Sequence, residues 1–389
     1  MTIKNSGSEL AFSEIEAEFG QPDNGRSLGR YRRDDSEFKN KSMGQLSNLP
    51  LDTGIPTSGE IKFSQFYGKK LNMVVDYYDD TGSSGGEASN VLNRQDNGAN
   101  TLAATWRYNN VSSRVKVVGG YRDRPTGSVS GYTLSSSGWQ GGKKIFIHEN
   151  KSIGSSKAGS NSDRNKVALR TGNWPSGTTL QIDIGSSGRI QGAGGNGRQG
   201  ATNSGTPSQA FTGTSGLGIE YPAQINNSGV IRCGYGGGGG GAGSWSDPNK
   251  NPRDFGRAGG GGGGGAGIPA GDGGPQNTGG YGSAGNGGPG DQTGKGKAGS
   301  DASFDAGGNG GDGGDHGEGG GEAGDGGNGG DRNDAAQSGT AGGPNSSAGG
   351  SPGSNGHGII FSSSSVQNNS SGNKTLSGSD GGVIVGGVS

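Results

Sequence analysis

From Gly234 to about Gly358 glycine supplies roughly two residues in five, and inside that zone it recurs at every third position. Gly256, Gly259, Gly262 and Gly265 form one series, Gly279, Gly282, Gly285 and Gly288 a second, and Gly308, Gly311, Gly314, Gly317 and Gly320 a third. Three residues per turn is the polyproline II repeat, which has no internal hydrogen bonds. Such rods must lie side by side and bond to one another, and glycine lets backbones approach closely enough to do so. Collagen does not fit, because the frame slips every few triplets and proline is scarce at 14 residues. A calcium β-roll does not fit either: Gly307 to Asp312, Gly310 to Asp315 and Gly326 to Asp331 match its glycine and aspartate positions, but Gly314, Gly317 and Asn333 stand where it needs a bulky residue. Disorder is the remaining alternative. Against it stand the apolar returns Ile359-Ile360-Phe361 and Val383-Ile384-Val385, which read as closing strands.

With 94 glycines among 389 residues and 25% hydrophobic residues, much of the chain lacks the side chains for an ordinary core. The net charge of -1 provides no basic field for nucleic acid or an anionic surface. Cys233 stands alone, and His148, His316 and His357 are scattered, so no disulfide, metal set or cofactor is expected. Met1 to Leu10 lacks the apolar stretch of a signal peptide, and no window suits membrane insertion.

Residues 1–70 are charged, with aromatic punctuation. Leu10-Ala11-Phe12-Ser13-Glu14-Ile15 recurs in type as Ile61-Lys62-Phe63-Ser64-Gln65-Phe66. Ser13 and Glu16 suggest a capping box, Phe12, Ile15 and Phe19 share a helical face, and Gly20 and Gly68 supply stops. Two short amphipathic helices are expected, joined by a linker too polar for a core and carrying Arg30, Arg32 and Arg33. They either pack on the rest of the chain or dock onto a partner; on the second reading Phe12, Ile15, Phe19, Arg30, Arg32, Arg33, Phe63 and Phe66 form the attachment surface.

Residues 71–180 alternate like strands. Leu71 to Tyr78, Thr105 to Tyr108, Val115 to Val118, Ser128 to Leu134, Lys144 to His148, Val167 to Arg170 and Thr179 to Ile184 are candidates, separated by polar turns. An antiparallel sandwich or jelly roll is expected here. In residues 181–389, Ile184-Gly185-Ser186-Ser187-Gly188-Arg189-Ile190 parallels Ile225-Asn226-Asn227-Ser228-Gly229-Val230-Ile231. Each reads as a strand hairpin feeding a glycine run. The fold class is thus mainly β with non-regular structure, short N-terminal helices and a C-terminal glycine-rich bundle.

If the runs are rods, the polar segments between them are loops at their ends, and loops on a rigid scaffold carry recognition. Trp245, Asp247, Asn249, Lys250, Arg253 and Phe255 cluster in one such segment; Tyr281 and Phe304 stand isolated in others. Exposed rings beside Asp, Asn and Arg suit carbohydrate, although the same aromatics could clamp the rod ends. No residue merits a catalytic role: Gly82 to Gly86 fits G-x-S-x-G in serine-glycine text dense enough to produce it by chance.

The F-S-[E/Q] element with its terminal glycine, together with Leu49-Pro50 and Pro56-Thr57-Ser58-Gly59-Glu60-Ile61, resembles an N-terminal segment recurrent in tail-fibre proteins of phages of marine cyanobacteria and related bacteria. The C-terminal half is similar to the glycine-rich distal adhesins of phage long tail fibres. The resemblance implies polyglycine II helices stacked in a lattice, with tip loops that bind a host surface polysaccharide or outer-membrane protein. It also implies a tail, baseplate or adaptor partner for residues 1–70, a spacer or trimerising role for 71–180 in a homotrimer, and a place in the virion tail after synthesis in the host bacterial cytoplasm. A polysaccharide-degrading tailspike and an ice-binding polyproline II bundle are the alternatives.

Overall fold

A computed structural model describes residues 3–19, 26–33, 52–70, 72–77, 115–118, 144–149, 152–155, 157–158, 160, 163–171, 177–202, 206–244, 258–275, 297–303, 305–313, 323–342, 347–372 and 383–385. In chain order these form helix α1 (Phe12–Phe19) and strands β1 (Met73–Tyr77), β2 (Val115–Val118), β3 (Lys144–Glu149), β4 (Ser152–Ile153), β5 (Val167–Arg170), β6 (Thr179–Ile184), β7 (Arg189–Gln191), β8 (Ser215–Ile219), β9 (Ala223–Asn227), β10 (Val230–Arg232) and β11 (Ile359–Phe361). Helix α2 (Ser364–Asn369) and strands β12 (Ser371–Gly372) and β13 (Val383–Val385) follow. The expected strands at 105–108 and 128–134 lie outside the described residues; the other five are present within two residues of their expected ends.

The sheets are parallel, which corrects the antiparallel sandwich. Strand orders β12-β9-β6-β3-β1-β2, β10-β7-β4 and β13-β11-β8-β5 mean that each circuit of the chain (β3-β4-β5, then β6-β7-β8, then β9-β10-β11) lays one strand on each of three sheets. The one antiparallel pair among the described strands is β1 with β2. In-register pairing stacks like residues from successive circuits into ladders: Ile147, Ile182 and Ile225; Ile153, Ile190 and Ile231; Leu169, Leu217 and Ile359. All nine are buried in one core, which supplies the apolar burial that the glycine-rich rods lack. The isoleucine units read as hairpins are therefore corners. Ile184 ends β6 in one sheet and Ile190 lies in β7 of another. Gly188 and Gly229 stack at this corner, where a side chain on Gly188 would overlap the carbonyl of Glu149 and one on Gly229 the carbonyl of Gly188. The expected division at 180/181 falls inside β6.

The glycine zone is inserted at one corner of this solenoid, between the sheet of β7 and β10 and the sheet of β8 and β11. Between β7 and β8 the chain runs out along 192–201 and back along 208–214. Between β10 and β11 the described residues run out and back four times, along 234–242, 259–267, 271–274, 297–303, 307–313, 323–330, 336–342 and 349–356. The amides of 259–267 divide into three series. Gly259, Gly262, Gly265 and Ile268 donate to the carbonyls of Ala201, Arg198, Gly195 and Gly192; Gly260, Gly263 and Ala266 donate to Gly324, Gly327 and Gly330; Gly261, Gly264 and Gly267 donate to Lys297, Ser300 and Ser303. Its carbonyls accept from three further rods, at Tyr235, Gly238 and Gly241, at Gly271 and Gly274, and at Gly308 and Gly311. The 234–242 rod likewise bonds to six neighbours. These two are the centre, and the other eight rods close a ring around them among the described residues.

That arrangement explains the glycine distribution. A central rod faces backbone on every side, so it carries the unbroken runs Gly236 to Gly241 and Gly259 to Gly265. A side chain at Gly262 would overlap the carbonyl of Gly238. A rim rod has one outward face, hence Gly-Gly-Asn309-Gly-Gly-Asp312 and Gly-Gly-Asn328-Gly-Gly-Asp331, with Asn309, Asp312 and Asn328 exposed. Those polar side chains also take up rim amides that have no further rod to bond. Asn328 Oδ1 accepts from the Gly310 N–H at 2.9 Å and Asp325 Oδ1 from the Gly313 N–H at 2.8 Å.

Candidate functional site

Residues 3–70 contain a small module with its own core of Ile3, Ile15, Phe19, Tyr31, Ile55 and Phe66, all buried. The two copies of the repeated element pack together: Phe19 and Phe66 ring centroids are 6.1 Å apart, and Phe12 and Phe63 are 6.2 Å apart. The first copy is α1; the second is a single 3-10 turn, Phe63–Phe66. The expected cap at Ser13 is corrected by two residues. In both copies the third residue of F-S-[E/Q] bonds back to the chain before it, Glu14 Oε2 accepting from the Ala11 N–H at 2.9 Å and Gln65 Oε1 from the Lys62 N–H at 2.7 Å. That backbone donor, with Lys4 nearby, holds the Glu14 carboxyl below the usual range. Gly68 takes the left-handed conformation expected of it, φ 66°, and its N–H donates to Lys4.

Of the residues expected at an attachment surface, Ile15, Phe19 and Phe66 are spent on this core. Phe12 is half-buried against Tyr31, while Phe63, 40% accessible, is the exposed large apolar side chain among the described residues. Arg30, Arg32 and Arg33 are half-buried; Arg32 donates to the Gly59 carbonyl, and the Arg33 N–H donates to that of Pro56. The segment expected to be a polar linker thus contributes to the core, through Tyr31 in the turn Leu28–Tyr31, a lone aromatic among arginines. Burial foremost, then the charge of Glu16, pushes the Tyr31 hydroxyl well above its ordinary pKa. Asp52 ties the module to the solenoid by accepting from Lys70 and Asn72, and Asn72 in turn accepts from the Lys144 N–H that opens β3.

At the glycine lattice, two ends are distinguishable. The turns near 268–271, 303–307 and 331–334 stand beside the solenoid; Ile268 accepts from the Ser155 N–H, for example. The rod ends at Ser244 and Ala258, at Pro275 and Lys297, at Gly313 and Ala323, and at Gly342 and Ser347 stand at the opposite, distal end. Trp245, Asp247, Asn249, Lys250, Arg253, Phe255, Tyr281 and Phe304 lie outside the described residues. The chain carrying the first seven begins and ends at distal rod ends. Phe304 is flanked instead by Ser303 and Asp305 at the solenoid end, where Asp305 pairs with Arg189 of β7 and Arg232 of β10 at 2.8 and 2.7 Å.

The sequence model of the phage tail fibre adhesin Gp38 family matches residues 123–388, which is more than half of the chain and takes in β3 to β13 and every rod. The chain belongs to the phage tail fibre adhesin Gp38 family. It is accordingly a structural protein of the phage tail, an adhesin that attaches the virion to a bacterial host. The module of residues 3–70 lies outside the matched span. A solved structure, the gp37-gp38 adhesin tip complex of the bacteriophage S16 long tail fibre, is similar over 97% of this chain and 98% of its own, at 16% identity and a TM-score of 0.36. No curated protein matches the sequence.

Proposed function

We propose that the adhesin binds its host receptor with the loops at the distal end of the lattice, and that the module of residues 1–70 attaches it to the tail. The rods are polyglycine II helices on this reading; donor series that repeat every third residue and serve three different neighbours support it. The observation that carries the receptor assignment is the closed ring of rim rods around two central ones. It fixes the lattice and leaves loop length and sequence free at one end, the end remote from the solenoid. Trp245, Asp247, Asn249, Lys250, Arg253, Phe255 and Tyr281 supply rings and planar polar groups for a surface polysaccharide or an outer-membrane protein. At the other pole, the exposed Phe63 beside Phe12, with Arg30, Arg32 and Arg33 of the same module, is the docking patch for a tail fibre or adaptor protein. The adhesin acts by binding, without catalysis.

The test replaces residues 245–255 with a glycine-serine linker of equal length and compares it with the same exchange at 331–334, beside the solenoid. The distal exchange should abolish binding to host cells and leave thermal unfolding unchanged, while the proximal one should leave binding intact. Equal binding by both proteins would sink the assignment. Release of reducing ends from host capsule would instead favour a degrading tailspike.

A further inference from the structure

The ring of rim rods is not smooth. On the outer side of the 192–201 rod, between its neighbours 208–214 and 271–274, lies a cavity of about 700 Å³. Its wall is more polar than apolar, whereas a drug-like pocket is mostly apolar. Asn196 and Gln199, three residues apart and so on one face of their rod, line it with amides, and Ser208 adds a hydroxyl. The Arg198 guanidinium lies over the Phe211 ring, 5.4 Å from the centroid, and has no ion-pair partner among the described residues. The carboxylate in the wall, Asp272, is compensated: it holds Lys157 at 2.5 Å, and its own N–H donates to Asn196 Oδ1.

We infer that this flank cavity is a carbohydrate site separate from the distal loops, selective for a sugar unit that carries a carboxylate or a phosphate. Amides and hydroxyls, with only the small apolar surfaces of Ala201, Pro207 and Pro275 between them, match a polyhydroxylated ligand. The guanidinium supplies a positive charge for which no described residue provides a counter-ion, so an anionic substituent gains a charge-assisted hydrogen bond there. The cation–π contact with Phe211 keeps the guanidinium at the cavity wall, where arginine offers carboxylate and phosphate a two-pronged partner. An acidic sugar held on the flank while the distal loops engage a receptor adds a second contact and raises the avidity of the whole adhesin. The inference deepens the reading of the lattice as the receptor-binding part and rests on it for its biological use.

Calorimetric titration of the full chain with tri-galacturonic acid, with glucose 6-phosphate and with neutral maltotriose tests it. At least one anionic probe should bind, the two arms separating carboxylate from phosphate, and maltotriose should bind at least tenfold more weakly. Arg198→Gln should weaken the anionic probe about tenfold or more, since a hydrogen bond to a charged group is lost. Ser208→Trp, at an exposed position, should fill the cavity and abolish binding while Arg198 stays in place. No binding of either anionic probe, equal binding of maltotriose, or unchanged binding in both variants would overturn the site. Host-cell binding by the 245–255 exchange, measured alongside, separates the two claims. If that exchange abolishes adsorption and no sugar binds, the flank site alone fails. If adsorption survives the exchange and sugar binding persists, the distal reading fails and the flank site stands.

Discussion

The carboxylate of Asp305, in a turn between two rods, meets the guanidinium of Arg232, on an edge strand of the solenoid, at 2.7 Å. Arg189 from the adjacent strand completes the clasp, with both of its terminal nitrogens on the same carboxylate. Burial alone would raise the Asp305 pKa, but the two arginines outweigh it and the net displacement is downward. A carboxyl displaced in this direction adds stability that is complete above the unfolded carboxylate range and is lost as pH falls through the lowered folded value. Thermal unfolding midpoints at pH 7 and pH 3 should therefore differ more for the wild type than for Asp305→Asn. The effect should shrink in high salt, because the side chain is 60% accessible. Identical pH sensitivity in the two proteins would remove Asp305 from the account.

Centre and rim of the lattice should respond differently to a methyl group. Gly262→Ala pushes a side chain into the Gly238 carbonyl and should cost about 1–3 kcal/mol or more. Asn309→Ala, at an outward rim position, should stay within about 0.5 kcal/mol. Urea unfolding followed by far-UV circular dichroism measures both, and equal costs would contradict the ring of eight around two.

Polar rim residues are expected to protect single amides. Asn328→Ala removes the acceptor of the Gly310 N–H and should cost about 0.5–1.5 kcal/mol. Amide exchange should speed up at Gly310 and stay slow at Gly311, whose N–H donates to Gly261 at 2.7 Å. Uniform acceleration along the rod would assign Asn328 a global role instead.

In the N-terminal module, truncation inside and outside the core should separate folding from docking. Phe19→Ala should destabilise the module by about 3–5 kcal/mol, detected as rapid proteolysis before residue 70, with the solenoid and lattice left intact. Phe63→Ala should leave the module folded and reduce incorporation into virions. Removing residues 1–70 should abolish incorporation, and a truncated protein still found in virions would refute the attachment role.

The threefold period of the lattice was legible because every third residue of a rim rod meets the same environment, so Asn309 and Asp312 repeat along one face. The parallel sheets were not. Leu180, Ile182 and Ile184 alternate as any half-buried strand does, and nothing local says that Leu180 pairs with Ile145 and Ala223 of other circuits. Short corners such as Gly185 to Gly188 look like reversals in sequence, although here they only turn the chain onto the next sheet. The burial of Tyr31 is not legible in the sequence, because a single aromatic between arginines has no periodicity to mark it. Isolation between glycine runs marks aromatics as lying in connections, but it does not say which pole of the lattice those connections occupy. Asp305 shows that neighbouring polar segments serve opposite ends.

Because the chain leaves the solenoid after β10 and must return at the same corner to begin β11, the described rods between them come in outward and homeward partners. A lattice of this kind obeys a parity rule. One extra rod would strand the chain at the far pole, and a pair would break the closed ring of eight around two. Rod number is thus quantised, whereas the connections at the far pole can lengthen, shorten or change sequence one residue at a time. Variation among such adhesins is expected to accumulate in the connections and to spare the count.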